Sequence, residues 1–160
     1  MRQKVFTGHY LATVGVEFTA TVIKIADKDV KAQLWDLAGQ PTFEQVRAGF
    51  LKGDTGALLV YSVTDNHSFD NIRNWVTKIH GKCGKGKIPI VIVGNKIDLR
   101  NDGDTSTISN EIGQKLVTEL SRERQTSMIH VPASALTGEN VELAFRLMAA
   151  QTCIWISRES

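Results

Sequence analysis

Apolar positions fall along the chain in patterns that switch between strand and helix. Residues 16–25 are rich in β-branched side chains, meet a polar turn at Ala26-Asp27-Lys28-Asp29 and resume over residues 30–35, which predicts an antiparallel hairpin. Two short, nearly continuous apolar runs follow, Ala57-Leu58-Leu59-Val60-Tyr61 and Ile88-Pro89-Ile90-Val91-Ile92-Val93-Gly94. Such runs suit strands covered by helices on both faces. A fifth, weaker strand is expected over residues 128–133. Between the strands the period lengthens. Ser68 is placed to cap a helix in which Phe69, Ile72, Trp75, Val76 and Ile79 recur near every 3.6 residues, with Asp70 in its first turn. Ile112, Leu116 and Leu120 repeat the pattern over residues 111–122, and Asn140 is placed to cap a last helix carrying Val141, Ala144, Phe145 and Met148. Strands alternating with helices predict an α/β fold with a mainly parallel sheet.

At 160 residues and 42% hydrophobic content the chain fits one domain with a single core. Its 19 basic and 17 acidic residues nearly cancel, so charge gives no case for a nucleic-acid or membrane-surface partner. No apolar run approaches the ~20 residues of a membrane span. Cys83 and Cys153 lie far apart in sequence, residues 1–10 have no signal-peptide core, and Cys153 is too far from the end for a prenylation box. A cytoplasmic protein is expected. His9, His67, His80 and His130 show no metal-ligand spacing.

In open α/β sheets, ligands sit beyond the carboxyl ends of the strands. Three motifs fall there. Asp36-Leu37-Ala38-Gly39-Gln40 follows the hairpin, Asn95-Lys96-Ile97-Asp98 follows the run that ends at Gly94, and Ser134-Ala135-Leu136 follows the fifth strand. Asn95 to Asp98 alone could be a polar turn closing a strand, but Ser134-Ala135 beside it points to a shared ligand.

These segments, together with Thr13-Val14-Gly15-Val16-Glu17-Phe18 and Leu34-Trp35, resemble a small GTPase of the Ras superfamily, most similar to the Rab branch. The resemblance implies a P-loop GTPase-like three-layer fold. The implied activity is a GTP-binding switch that hydrolyses GTP with Mg²⁺ and serves vesicle transport. A carboxylate accepts two hydrogen bonds from guanine's ring N–H and amino group, and adenine's corresponding edge cannot donate that pair. Asp98 is therefore expected to select guanine. By resemblance Asn95 ties neighbouring loops, the Lys96 stem lies over the base, the Ala135 backbone faces the base oxygen, and Phe6 lies at the base edge. Ser134 and Leu136 complete that set, Leu136 standing where lysine is commoner.

Phosphoryl transfer rests mainly on positioning and charge neutralisation. The resemblance gives Thr13 and Asp36 to Mg²⁺, the Gly39 N–H to the γ-phosphate and Gln40 to the attacking water. Leu37 and Pro41 depart from the family's commoner threonine and glutamate. Residues around Thr13 and residues 40–50 would be switch regions ordered by the γ-phosphate. Phe18, Trp35 and Phe50 match an aromatic trio offered to effectors, although Trp35 and Phe50 could instead belong to the core. Exchange factors and GTPase-activating proteins are the other implied partners. Membrane association would require a lipidated tail, on the cytosolic face of endomembranes.

Ahead of these motifs the chain has no first strand and no G-x-x-x-x-G-K-[ST] loop for the β-phosphate. Gly81-Lys82-Cys83-Gly84-Lys85-Gly86-Lys87 fits part of that expression, but Ile88 takes the Ser/Thr place and the segment leaves a helix to enter a strand. A basic loop is the expected reading. The absent strand is expected to leave open edges on its neighbours, and the chain as written is expected to bind GTP weakly. A nucleotide-free module that keeps the GTPase shape and binds proteins is the alternative.

Overall fold

The computed structural model describes residues 16–37, 49, 51–82, 87–100 and 106–159. Strands β1 (Val16–Ile25) and β2 (Lys28–Leu37) pair antiparallel along their whole length, from Val16 opposite Leu37 to Ile25 opposite Lys28. The turn is two residues, shorter than expected, because Lys28 and Asp29 join the ladder opposite Ile25 and Lys24. Ala26 meets the tight reversal with a left-handed φ of +50°.

β3 (Ala57–Ser62), β4 (Ile90–Asn95) and β5 (Met128–Pro132) form a parallel sheet with β4 in the centre. The apolar runs predicted this, since every residue of β4 before Asn95 is buried. The hairpin forms a sheet of its own, and among the described residues no strand joins β2 to β3. The mainly parallel sheet expected from the sequence is β3-β4-β5, and the expected antiparallel hairpin stands beside it as a separate sheet among the described residues. β3 is an outer strand, and its Val60 is 59% exposed.

The first predicted helix differs from expectation. It is a short α1 (Asn66–Asp70), a break at Asn71, and α2 (Ile72–Lys82). The cap is Asp65, whose carboxylate accepts from the His67 N–H at 3.0 Å, while Ser68 lies inside α1 and donates to the Asp65 carbonyl at 2.8 Å. An extended Asp65 just after the β3 turn takes the capping role that Ser68 was assigned, so Asp70 closes α1 instead of opening a helix. α3 (Asn110–Arg124) starts at Ser109, whose hydroxyl accepts from the Ile112 N–H, and α4 (Val141–Glu159) ends the described chain. No helix among the described residues is long and apolar enough to cross a membrane.

Ile72, Val76 and Ile79 of α2 and Leu116, Val117 and Leu120 of α3 pack with Leu59, Tyr61, Ile90 and Ile92 on one face of the parallel sheet. On the other face Val91, Val93 and Val131 meet Ala144, Leu147 and Met148 of α4. Helix layers on both faces put the loops after β3, β4 and β5 at one end, where the motifs lie.

A polar contact crosses this core. Tyr61 of β3 and His130 of β5 reach past the central strand and meet at 3.0 Å from Oη to Nε2. Gly94 of β4 and Gly113 of α3 make room, since a Cβ at either would lie 2.7 Å from the Tyr61 oxygen. Burial pushes the Tyr61 hydroxyl up to about 12, so the tyrosine keeps its proton and can donate to a neutral His130. Burial first, and the Arg100 charge second, hold His130 below the ordinary imidazole value of 6.5. Burial likewise lowers His80, outweighing its bond to the Ile88 carbonyl. A histidine with a lowered folded pKa binds fewer protons folded than unfolded, so stability is full above about 6.5 and falls as the pH drops below it. The urea midpoint is expected to be lower at pH 5.5 than at 7.5, and His130→Gln to flatten that slope.

Candidate functional site

Backbone bonds join the ends of the strands before any side chain acts. The Ala133 N–H donates to the Gly94 carbonyl at 2.8 Å, the Val63 N–H to Asn95 at 2.9 Å, and the Ile97 N–H to Ala133 at 3.3 Å. Lys96 then turns the chain through a left-handed φ of +69° into a short 3-10 turn, Ile97–Leu99. Ile97 packs against the core and Asp98 faces out. The loop after β4 is thus anchored by one residue while its neighbour presents a carboxylate.

Side chains tie this loop to the one after β5. The fully buried Ser134 donates its hydroxyl to Asp98 Oδ1 and accepts from the Thr137 N–H at 3.1 Å. Asn95 Oδ1 accepts from the Ala135 N–H at 2.9 Å. Within the second loop the Ser134 N–H donates to the Glu139 carbonyl at 3.0 Å and the Gly138 N–H to Ser134 at 2.9 Å. Arg100 donates to Asn110 Oδ1 and to the Ile108 carbonyl, both at 2.6 Å, fixing the far side of the Asp98 turn to the start of α3. Ser134 takes one carboxylate oxygen, and the exposed side of Asp98 offers acceptor capacity that a ring N–H and an adjacent amino group can use.

The sequence motifs therefore meet in part. Asn95, Asp98, Ser134 and Ala135 form one hydrogen-bonded unit, with Lys96 exposed beside it and Leu136 55% exposed. Asn95 ties the two loops by accepting from the Ala135 amide. Asp36 lies opposite Glu17 near the end of β2. Leu37 and Ile97, neighbours of Asp36 and Asp98, pack against the same core cluster. Phe18 and Trp35 face each other across the hairpin with ring centroids 4.8 Å apart, 49% and 39% exposed. Trp35 is thus only partly covered. Phe6, Thr13, Gly39, Gln40 and Phe50 lie outside the described residues. The described residues include no cluster of His, Cys, Asp and Glu able to hold a metal by themselves. Asp36 still offers the hard carboxylate oxygen that Mg²⁺ accepts.

Two contributors were missed. Arg100 belongs to no motif, and the sequence predicts a cap at Asn140. Asn140 has a φ of +57° and donates its amide to the Pro132 carbonyl at 2.9 Å, whereas a capping side chain accepts from the helix. Its sequence signal was an Asn two residues after a glycine, at a point where the chain reverses.

A parallel sheet between helix layers, with these motifs at its strand ends, defines a P-loop GTPase-like fold, and the Ras family model matches residues 1–153. The chain belongs to the Ras family. Its relatives place it among Rab-like small GTPases. It is 36% identical over 145 residues to Ras-related protein Rab-37 of Homo sapiens, covering 91% of this chain and 60% of that protein. It is 34% identical over 148 residues to Ras-related protein RABA5b of Arabidopsis thaliana, covering 92% and 64%. It is 36% identical over 146 residues to GTP-binding protein ypt2 of Schizosaccharomyces pombe, covering 91% and 68%. The chain thus spans about 60% of the length of the first of these relatives.

Proposed function

We propose that the chain is the base-recognising part of a Rab-like, GTP-binding switch in vesicle transport, with Asp98 selecting guanine. The observation that carries this reading is the Asp98–Ser134 and Asn95–Ala135 pairing at the strand ends, which fixes an exposed carboxylate beside the loop that follows β5. Lys96 lies along the base, Phe6 and Leu136 border it, and the backbone of Ala135 faces the base oxygen. Mg²⁺ bound with GTP or GDP would be held by Thr13 and, through water, by Asp36, neutralising phosphate charge. Gly39 senses the γ-phosphate and Gln40 orients the attacking water. Effectors read Phe18, Trp35 and Phe50, and the exposed Phe18–Trp35 pair supports that role. Exchange factors and GTPase-activating proteins set the state of the switch on the cytosolic face of endomembranes.

Displacement of a fluorescent guanine nucleotide tests the binding half. GDP is expected to compete at least 100-fold better than ADP, since a carboxylate facing adenine is left without its donors; equal competition overturns the reading. For hydrolysis, in a form that carries a phosphate loop ahead of these residues, Gln40→Leu is expected to slow phosphate release from saturating GTP by roughly tenfold or more while nucleotide affinity stays within about twofold, because positioning of water contributes to the transition state alone. Unchanged release removes Gln40 from this role.

A further inference from the structure

The geometry points to Asn140 as a positioning residue for base recognition: its side-chain amide, clamped on the Pro132 carbonyl, holds the loop of residues 134–139 so that Ser134 and Ala135 are aimed at Asp98 and Asn95. This rests on the guanine reading and goes beyond it, because Asn140 lies outside every motif that suggested the ligand.

The register of β5 explains why such a clamp is available. Ser127 accepts from the Ile90 N–H and Ala133 donates to Gly94, so odd-numbered residues of this stretch turn their backbone groups to β4. Pro132, one residue out of phase, turns its carbonyl to the outer edge, and proline has no N–H to leave unpaired there. The outward carbonyl is the acceptor that Asn140 takes at 2.9 Å. The Asn140 carbonyl meanwhile accepts from the Ala144 N–H at 3.0 Å, in the first turn of α4. One residue therefore grips the end of β5 through its side chain and the start of α4 through its backbone.

Between those two grips lies the whole second loop. Its interior bonds, Ser134 N–H to Glu139 and Gly138 N–H to Ser134, close it on itself, the Val141 N–H donates to its Gly138 carbonyl at 3.3 Å, and its contacts with the loop after β4 are Ser134 to Asp98 and Ala135 to Asn95. Releasing the clamp frees one end of the loop that orients the carboxylate. The left-handed φ of +57° narrows what can stand at this position, since Asn, Asp and Gly tolerate it and branched residues do not. Asp keeps the size and the conformation but sets an acceptor against the Pro132 carbonyl. Gly keeps the conformation and removes the amide.

Those two variants separate positioning from simple stability. ¹⁵N-labelled chain, wild type, Asn140→Asp and Asn140→Gly, is titrated with guanosine and with inosine, which lacks the amino group that Asp98 would accept from. Thermal melting of each variant is recorded alongside. Wild type is expected to prefer guanosine, with shifts at Asp98 and Ala135, and both variants to lose on the order of tenfold of that preference, the worth of one aligned hydrogen bond. A lower melting temperature with an unchanged guanosine-to-inosine ratio makes Asn140 merely structural and overturns the inference. A wild-type ratio in Asn140→Gly also overturns it, because conformation alone then suffices. If wild type answers neither nucleoside, the guanine reading fails, and this inference with it; a selective wild type with equally selective variants defeats the inference alone.

Discussion

Asp98→Ala is expected to abolish guanosine recognition, weakening binding by on the order of 100-fold or more. Two hydrogen bonds to a charged acceptor disappear together, each worth about 1.5–3 kcal/mol. The same change leaves the buried Ser134 hydroxyl without its acceptor, which costs about 1–3 kcal/mol of stability and appears as a lower urea midpoint. Asp98→Asn separates the two effects. Its amide oxygen still accepts from Ser134, so the fold keeps its stability, while its NH₂ group sets a donor against guanine's own donors. Wild-type stability with lost guanosine binding is the expected pair of results from calorimetry and denaturation. Retained guanosine binding in Asp98→Asn would remove Asp98 from base recognition.

Gly113→Ala is expected to lower the melting temperature by roughly 2–20 °C. Alanine in a helix ordinarily gains about 1 kcal/mol over glycine. Here the added Cβ would meet the His130 ring and lie 2.7 Å from the Tyr61 hydroxyl, so the helix must shift or the Tyr61–His130 bond must part. Overpacking costs about 1–3 kcal/mol and a parted buried pair a similar amount, which together outweigh the propensity gain. For a domain of this size each kcal/mol corresponds to about 2–4 °C. Removing the obstacle should undo part of the harm, so Gly113→Ala is expected to cost less in a His130→Ala background than alone. Additive losses would show that the glycine is not there for the histidine.

The parallel sheet was legible because Ala57 to Tyr61 and Ile90 to Val93 are apolar without interruption, a pattern of strands between helix layers that β4 meets fully and the outer strand β3 only in part. The hairpin was legible from β-branched content, although its turn was not, because Lys28 and Asp29 look like turn residues and join the ladder once Ala26 takes a left-handed φ. The first helix was misplaced for a similar reason. Ser68 and Asp65 are both capping residues, and the choice depends on where β3 releases the chain. Motif order placed Asn95, Asp98, Ser134 and Ala135 correctly at neighbouring strand ends, since strand order alone brings those loops together. What the sequence withheld were contacts between residues far apart along it. Tyr61 and His130 are 69 positions apart, and their only trace was a glycine in a strand and another in a helix, both unfavourable by propensity. Asn140 was hidden because the same residue type serves as helix cap and as left-handed clamp.

The central claim is that the exposed edge of Asp98 holds guanine beside the loop after β5. Proton NMR of the chain with excess guanosine measures this most directly, through the guanine N1–H resonance and its nuclear Overhauser contacts. The account predicts a protected, downfield-shifted N1–H with contacts to the protons of Asp98, Lys96 and Ala135, and no comparable contacts with adenosine. Guanosine contacts mapping to another face, or adenosine contacts of equal strength at these residues, would contradict it.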